Sequence, residues 1–400
     1  MEYNWLKNVA KISDDHTSIK FHDKFNNIIK PNNLPENLTT LKFGQYFNQK
    51  IEPNMLPKKL TTLRFGPYFN QKIESNTLPE NLSTLNFGCN FNQKIEPNIL
   101  PENLITLIFG FKFNQIIGPN TLPMKLTFLT FGFEFNQKIG PNILPENLTN
   151  LIFGDHFNQE IELYTLPEKL TSLTFGTCFN QKIVPNILPE NLLTLTFGYY
   201  FNQKIEPNTL PEKLTTLTFG IGFNQGIEPN TLPKNLTTLI FGICFNKKIE
   251  PNTLPENLIA LTFGTNFNQK LEPNTLPEKL SSLTFGMNFN QKIDPNSLPE
   301  NLTNINFNWN RSSGHNPIKH YIEMVNNIPS YYNVEIFVQM NIFGFEGSKW
   351  PVHVIEYRKN EWASIYEIQD KYKHPRYGDI TIIINKETYQ PYSSAKSAIK

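Results

Sequence analysis

The chain has 400 residues, and its 36 Lys and Arg nearly balance its 35 Asp and Glu, which gives a formal net charge of +1. This balance argues against a broad basic surface for nucleic acid. The chain contains 30 Pro and 53 Asn but only 5 Ala. That composition argues against a mainly helical protein, because Ala favours helices and Pro interrupts them.

The N-terminal segment, residues 1–24, lacks the long apolar core of a secretory signal. The longest aliphatic run, at residues 380–384, is far shorter than the roughly 20 residues that cross a membrane as a helix. We therefore expect a soluble protein of the cytoplasm with no membrane partner. Residues 18–22 match the strand end of the repeat described next, so we expect residues 1–24 to form a cap that contains half a rung.

A repeat of 22 residues occupies residues 25–310. Its thirteen units follow one another without insertion, and each begins with a Phe-Asn pair, at Phe25, Phe47, Phe69, Phe91, Phe113, Phe135, Phe157, Phe179, Phe201, Phe223, Phe245, Phe267 and Phe289. One unit is too small to bury its own Phe, Leu and Ile, whereas stacked units cover one another. We therefore predict a mainly β solenoid of about 13 rungs, with parallel strands about 4.8 Å apart.

The unit that begins at Phe201 shows why a rung should contain a strand and no helix. Pro207 and Pro211 stand four residues apart and exclude a regular helix. The Thr-rich alternation from Leu214 to Phe219 predicts a short strand. The predicted core consists of six columns of equivalent residues, of the types Phe201, Ile205, Leu210, Leu214, Leu217 and Phe219.

Two polar positions of the unit are nearly invariant. The Asn202 type occurs in all thirteen units, and we interpret it as an internal amide ladder that binds turn backbone. The Gly220 type follows the strand in twelve units, with Asn308 in the last unit and His22 before the array. Because Gly, Asn and His tolerate positive φ, we predict a left-handed residue at the end of each strand.

The run Leu-Pro-x-x-Leu-x-x-Leu-x-Phe-Gly-x-x-Phe-Asn-Gln-x-Ile resembles the FNIP repeat, a relative of the leucine-rich repeat found in social amoebae and in giant viruses that infect amoebae. The resemblance implies a leucine-rich-repeat-like solenoid, a protein partner and no defined catalytic residues. For a viral member, it also implies the host cytoplasm. Some members carry an F-box ahead of the repeats. Since 24 residues are too few for that domain, we do not expect a ubiquitin-ligase adaptor.

The repeat ends at Asn310, and residues 311–400 differ from it in composition. Asn316 and Pro317 suit the start of a helix. Its apolar face would contain Ile318, Tyr321, Ile322 and Val325. Strands are expected at about 334–342, 352–357, 362–368 and 380–384. This pattern predicts a small α+β C-terminal domain or an elaborate C-terminal cap.

No catalytic, cofactor-binding or metal-ligating motif is recognisable, so we expect no cofactor and no enzyme activity. Cys178 and Cys244 should lie roughly 14 Å apart, beyond the about 7 Å of a disulfide. These two and Cys89 are therefore predicted to be free thiols, as in a reducing compartment. The tail contains four His, at positions 315, 320, 353 and 374, without the spacing of a zinc motif.

The variable positions carry the information about function. Most rungs place Thr at the outward strand positions, whereas the fourth to sixth rungs place large apolar side chains there and in the following turns. An apolar surface patch often marks a partner site. The predicted partner-binding residues are Ile108, Phe111, Phe128, Phe133, Ile152 and His156.

Three functions stay open at this level. The preferred one is a non-enzymatic protein–protein interaction scaffold that uses the outward strand face of the solenoid. A second is a catalytic or ligand-binding activity in residues 311–400, for which the solenoid would be a targeting arm. The third is a structural spacer. A captured partner, or a convergent polar pocket in the tail, would distinguish them.

Overall fold

One short strand recurs in every unit of the repeat in the computed structural model, which describes residues 4–310, 333–339, 354–355, 371–374 and 378–381. A short helix, α1 (Asn4–Lys7), precedes them. The strands up to the end of the repeat are β1 (Ala10–Ile12), β2 (Ser18–Phe21), β3 (Thr40–Lys42), β4 (Thr62–Arg64), β5 (Thr84–Asn86), β6 (Thr106–Ile108), β7 (Phe128–Thr130), β8 (Asn150–Ile152), β9 (Ser172–Thr174), β10 (Thr194–Thr196), β11 (Thr216–Thr218), β12 (Thr238–Ile240), β13 (Ala260–Thr262), β14 (Ser282–Phe285) and β15 (Asn304–Asn310).

Strands β2 to β15 form one continuous parallel sheet in which each strand pairs with its neighbour 22 residues away. In β10, β11 and β12, for example, Leu195, Leu217 and Leu239 are in register. No strand of this series slips, because a shift by one residue would turn the buried Leu outward. The predicted solenoid of about thirteen 22-residue rungs is confirmed.

The core consists of the six predicted columns, all of which are buried over the length of the array. Where one unit passes into the next, the rings of Phe219 and Phe223 are stacked with centroids 3.8 Å apart. Between rungs, the ring of Phe223 lies 6.2 Å from that of Phe201. Each unit thus covers the apolar side chains of the next, as stacking of small units requires.

The prediction of a left-handed Gly at the end of each strand was wrong. None of these Gly residues has a φ in the left-handed region. They are required because the turns approach one another closely: a Cβ added at Gly132 would lie 1.7 Å from the carbonyl oxygen of Gly110. His22 stands at the start of this column, where no repeat rung precedes it.

The left-handed residues lie instead at the proline-containing turn. A positive φ of 57–68° occurs at the Asn208 type in every rung from Asn32 to Asn274. Tyr164 replaces Asn at one of these positions, with a φ of 63°. Asn tolerates this conformation better than most residues because its short side chain bonds locally, and this accounts for its recurrence after Pro.

The Asn202 type forms the predicted ladder, but the ladder is not internal. The Oδ1 atom of Asn48 accepts hydrogen bonds from the backbone N–H of Asn70 at 2.9 Å and from Nε2 of Gln71 at 3.1 Å. The Asn-to-Asn bond recurs along the array, and these Asn side chains are half-buried or exposed. The ladder therefore adds a second set of bonds between rungs, beside the strand pairing.

One column beside the core mixes polar and apolar residues, which sequence reasoning did not foresee. Five Thr hydroxyls of this column are buried without a hydrogen-bond partner in the described part of the chain, at Thr77, Thr209, Thr231, Thr253 and Thr275. Ile99 and Ile143 take the same place in other rungs and pack against the core. The surroundings of this column are therefore apolar, and burying an unpaired hydroxyl there lowers the free energy of unfolding.

The N-terminal segment packs on the first rung. Strand β1 pairs antiparallel with β2, and β2 pairs parallel and in register with β3. Leu6 is fully buried, and the ring of Trp5 lies 6.3 Å from that of Phe21 and 6.2 Å from that of Phe25. This segment covers apolar side chains at the start of the stack.

The hairpin between β1 and β2 is closed by one carboxylate. Asp15 Oδ1 accepts hydrogen bonds from Ser13 Oγ at 2.6 Å, from Thr17 Oγ1 at 2.8 Å and from the Thr17 N–H at 3.1 Å. These bonds, led by that of the Ser13 hydroxyl, lower the pKa of Asp15 to about 2. The charged form of Asp15 is therefore favoured in the folded hairpin.

Beyond the repeat, the sheet continues. Strand β16 (Asn333–Gln339) pairs parallel with β15, and β17 (Val354–Ile355) pairs antiparallel with β16. Strands β18 (Lys371–His374) and β19 (Gly378–Thr381) form a separate hairpin. The described residues do not support the predicted α+β domain. The predicted helix near 316–325 and the strand at 362–368 lie outside them.

The close contact between rungs predicts a large penalty for a methyl group at the strand end. Gly132→Ala should lower the free energy of unfolding by about 1–3 kcal/mol, because its Cβ would overlap the Gly110 carbonyl. Urea denaturation measures the change. Gly226→Ala is the matched control, since a Cβ there would meet nothing within 4 Å. Equal effects of the two substitutions would contradict the role assigned to the contact.

The orphaned hydroxyls predict stabilising substitutions. Thr231→Val should raise the free energy of unfolding by about 1 kcal/mol, because it keeps the shape of the side chain and removes a buried unpaired hydroxyl. Thr165→Val should gain less, since the Thr165 hydroxyl donates to the Ile139 carbonyl at 3.4 Å. The comparison uses the same urea titration, and a loss of stability in Thr231→Val would refute the assignment.

The hairpin carboxylate predicts a pH dependence. Because the pKa of Asp15 falls from 3.8 to about 2 on folding, its contribution to stability is present above about pH 4 and is lost as the pH falls towards 2. Asp15→Asn should therefore be less stable than the wild type at pH 5, with the difference shrinking steadily as the pH falls from 4 through 2. Melting temperatures across this range measure it, and a difference independent of pH would contradict the prediction.

Candidate interaction surface

Three of the six predicted partner-binding residues lie on the outward face of the sheet. Phe128 is in register with Thr106 and Asn150, while Ile108 and Ile152 occupy the other outward column, on either side of Thr130. All three are half-buried. We call Ile108, Phe128 and Ile152 the strand cluster. It is centred on β7, at strand positions where Thr is the commonest residue.

The other three predicted residues lie in the turns that follow β6, β7 and β8. The rings of Phe111 and Phe133 are stacked, with centroids 4.4 Å apart and planes inclined by 5°. The ring of His156 lies 4.5 Å from that of Phe133 at a tilt of 55°. Phe111 is 45 % exposed. We call Phe111, Phe133 and His156 the turn ridge.

The backbone holds the turn ridge in place. In successive turns, the N–H of Glu134 donates to the carbonyl of Phe111, and the N–H of His156 donates to that of Phe133, each at 2.9 Å. Each turn is also closed internally, as where the N–H of Phe135 donates to the Gly132 carbonyl at 3.1 Å. Besides the strand pairing and the Asn ladder, these turn bonds are a third set of hydrogen bonds between rungs, and they fix the backbone of the turn ridge.

The structure brings the six residues together as two groups rather than one. Within residues 4–310, no ring contact joins Phe128 to the turn ridge. The strand cluster and the turn ridge belong to the same three rungs, but they lie on the sheet face and on the adjoining turns respectively. The period of the repeat indicates which residues share a column, whereas it does not indicate where around the coil each column points.

Sequence reasoning missed further exposed apolar residues in the same turn columns. The rings of Tyr46 and Tyr68 are stacked with centroids 5.2 Å apart. Tyr199, Tyr200 and Ile243 are exposed as well. Their signal was visible in the sequence, because each stands at one of the two variable positions after the strand-end Gly.

Lys and Glu at the positions of Lys204 and Glu206 form a solvated charged face. Lys204 pairs with Glu206 of its own rung at 3.4 Å and with Glu228 of the next rung at 2.8 Å. The hydrogen bond that Lys204 donates to Glu228 is the largest cause of the raised pKa of Lys204. Lys50 pairs in the same way with Glu52 and Glu74. Such exposed pairs are worth little in stability.

The described part of the chain offers no candidate metal centre. There, no three His, Cys, Asp or Glu side chains are placed to hold a metal ion. Cys89, Cys178 and Cys244 are free thiols, as predicted. The four tail His lie outside the residues whose side chains are described. The helices of the described segments include none that is long and apolar enough to cross a membrane.

In-register parallel strands on a 22-residue coil, with Leu and Phe columns inside, define a leucine-rich-repeat-like solenoid. A family model described as FNIP Repeat matches residues 25–68, 69–112, 113–144, 135–178, 179–222, 223–266, 245–288 and 289–312. The chain therefore belongs to the FNIP-repeat family, which confirms the resemblance seen in its sequence. No curated protein matches it.

Solved structures similar to this chain include a giant-virus repeat protein and a bacterial internalin. CroV588 of the giant virus CroV, described as a novel circular leucine-rich-repeat protein structure, is 40% identical with a TM-score of 0.65. The match covers 80% of this chain and 55% of CroV588, so this chain spans about half the length of that relative. An internalin (inlF) from Listeria monocytogenes is 16% identical with a TM-score of 0.48, over 76% of this chain and 88% of the internalin.

Proposed function

We propose that the protein is a non-enzymatic protein–protein interaction scaffold whose partner docks on the fourth to sixth rungs. The observation that carries the proposal is the apolar surface of three successive rungs, where the strand cluster on the sheet face adjoins the stacked rings of the turn ridge. Large apolar side chains on the surface of a soluble protein cost free energy in water, and they mark interaction sites.

The composition of this surface suits a binding hot spot. Aromatic side chains bury a large area while losing few rotamers, and a small central group of such residues usually carries most of the binding free energy. Phe128 is the central candidate, because it lies on β7, between the strands β6 and β8 that hold Ile108 and Ile152. The turn ridge would border the docked partner on one side.

The frame beneath this surface supports the same role. Strand pairing, the Asn ladder and the bonds between turns tie each rung to the next. A preorganised surface loses little conformational entropy when a partner binds. The partner would be a protein with a complementary apolar patch, met in the cytoplasm or, for a viral protein, in the host cytoplasm. We propose neither a nucleic-acid nor a membrane partner.

Substituting the strand cluster should weaken partner capture without unfolding the protein. Phe128→Ser in the full chain should reduce the affinity for the captured partner at least tenfold, as expected for a hot spot. Phe133→Ser should act in the same direction. The melting temperature should stay nearly unchanged, since both side chains are only half-buried. Quantitative pull-down from the native cell measures capture.

The matched control is Ile240→Ser. Ile240 is half-buried at the end of β12, in the same outward column as Ile108 and Ile152 but outside the proposed surface. This variant should retain full capture. Unaltered capture by Phe128→Ser and Phe133→Ser would refute the site. A wild-type chain that captures no protein would refute the scaffold role and favour a structural spacer.

A further inference from the structure

The turns after β6 and β7 each present one Phe and one charged residue to solvent, and the two charges are of opposite sign. These residues are Phe111 and Lys112 after β6, and Phe133 and Glu134 after β7. Lys112 is exposed and Glu134 half-buried, and neither takes part in an ion pair within the described residues. Two stacked Phe rings are therefore flanked by one positive and one negative side chain on neighbouring rungs.

We propose that a second copy of this chain docks on the turn ridge, antiparallel and about a twofold axis between the turns after β6 and β7. In this arrangement, Phe111 of each copy faces Phe133 of the other. Lys112 of each copy faces Glu134 of the other, and the symmetry produces this ion pair twice. The solvent-exposed faces of the two Phe rings become covered.

The order of charges selects this axis over its neighbours. An axis through the turn after β6 would place Lys112 opposite Lys112, and an axis through the turn after β7 would place Glu134 opposite Glu134. A parallel arrangement with its twofold axis along the column of Lys112 and Glu134 would place Lys112 opposite Lys112 and Glu134 opposite Glu134. Opposed like charges disfavour an interface, so only the axis midway between the two turns pairs both charges favourably.

The same axis matches residues farther along the ridge. The turn after β3 faces the turn after β10, which brings the exposed Tyr46 opposite the exposed pair Tyr199 and Tyr200. The turns after β5 and β8 place Asn90 opposite His156, and no like charges meet. From β3 to β10 this contact is about 34 Å long at the spacing of paired strands. We expect a small interface with a Kd in the micromolar range.

This inference rests on the proposed function only in treating the turn ridge as an interaction surface. The strand cluster lies on the adjoining face and takes no part in the dimer. Phe133 belongs to both surfaces, whereas Phe128 belongs only to the partner site and Lys112 only to the dimer contact. Substitutions at Phe128 and Lys112 therefore separate self-association from capture of a different protein. Phe128→Ser should lose capture but keep the dimer, whereas charge reversal at Lys112 should lose the dimer.

Analytical ultracentrifugation of the full-length chain tests the dimer. The wild type should convert from monomer to dimer as its concentration rises to about 100 μM, well above a micromolar Kd. Lys112→Glu and Glu134→Lys should each weaken the dimer at least tenfold, because each places like charges opposite each other twice. Lys182→Glu, an equal charge change at an exposed Lys away from the ridge, should leave it unchanged.

Mixing the two variants gives the sharpest outcome. The Lys112→Glu variant is negative at positions 112 and 134, and the Glu134→Lys variant is positive at both. An equimolar mixture should therefore form a heterodimer of about wild-type affinity. The double exchange Lys112→Glu with Glu134→Lys should likewise restore the homodimer. A wild type that stays monomeric, single reversals without effect, or a mixture that stays monomeric would each overturn the proposed axis.

Discussion

The contact between the strand-end Gly of one rung and the backbone of the rung before it is the constraint on which the stack depends. At Gly132 and Gly198 there is no room for a Cβ, because the preceding carbonyl oxygen occupies its place. This approach lets the turns stack on one another and keeps the two Phe columns beside them in contact from rung to rung. Rungs held at this separation are also aligned for strand pairing, so one small residue serves the sheet, the turns and the core together.

Because stacking uses most of each unit, few positions are free to vary. The core columns, the Pro and Asn of the long turn and the strand-end Gly all serve the repeat itself. The positions that remain include the two outward residues of the strand, the residue before the strand, the two residues of the following turn, and the solvated positions of the Lys204, Glu206 and Glu212 types. Interaction chemistry in this protein therefore concentrates in a few narrow columns. Ile108, Phe128, Phe111 and Phe133 stand in those columns, on neighbouring rungs.

The period revealed most of the fold, since a constant spacing of 22 places equivalent residues in columns whatever the detailed path of the coil. The spacing alone does not determine features that depend on the path of the backbone. Gly was expected at a positive φ because that is its commonest use, whereas Gly132 serves close backbone approach and Asn208 takes the left-handed conformation. The pairing of Phe111 with Phe133 follows from their shared column. Their separation from Phe128 depends on the direction of each column, which spacing alone does not encode.

The ladder that links each Asn to its counterpart 22 residues away has a consequence for how this chain can change in length. Every bond of that ladder is identical in kind from Asn48 to Asn268, so a duplication or deletion of one whole unit joins equivalent ends and leaves every remaining rung with a proper neighbour. An insertion or deletion of a single residue would instead interrupt the 22-residue spacing at one junction. The rungs on the two sides of that junction would then no longer be in register. Recombination between such near-identical units can therefore lengthen or shorten the coil in whole turns, and it carries each surface column along unchanged.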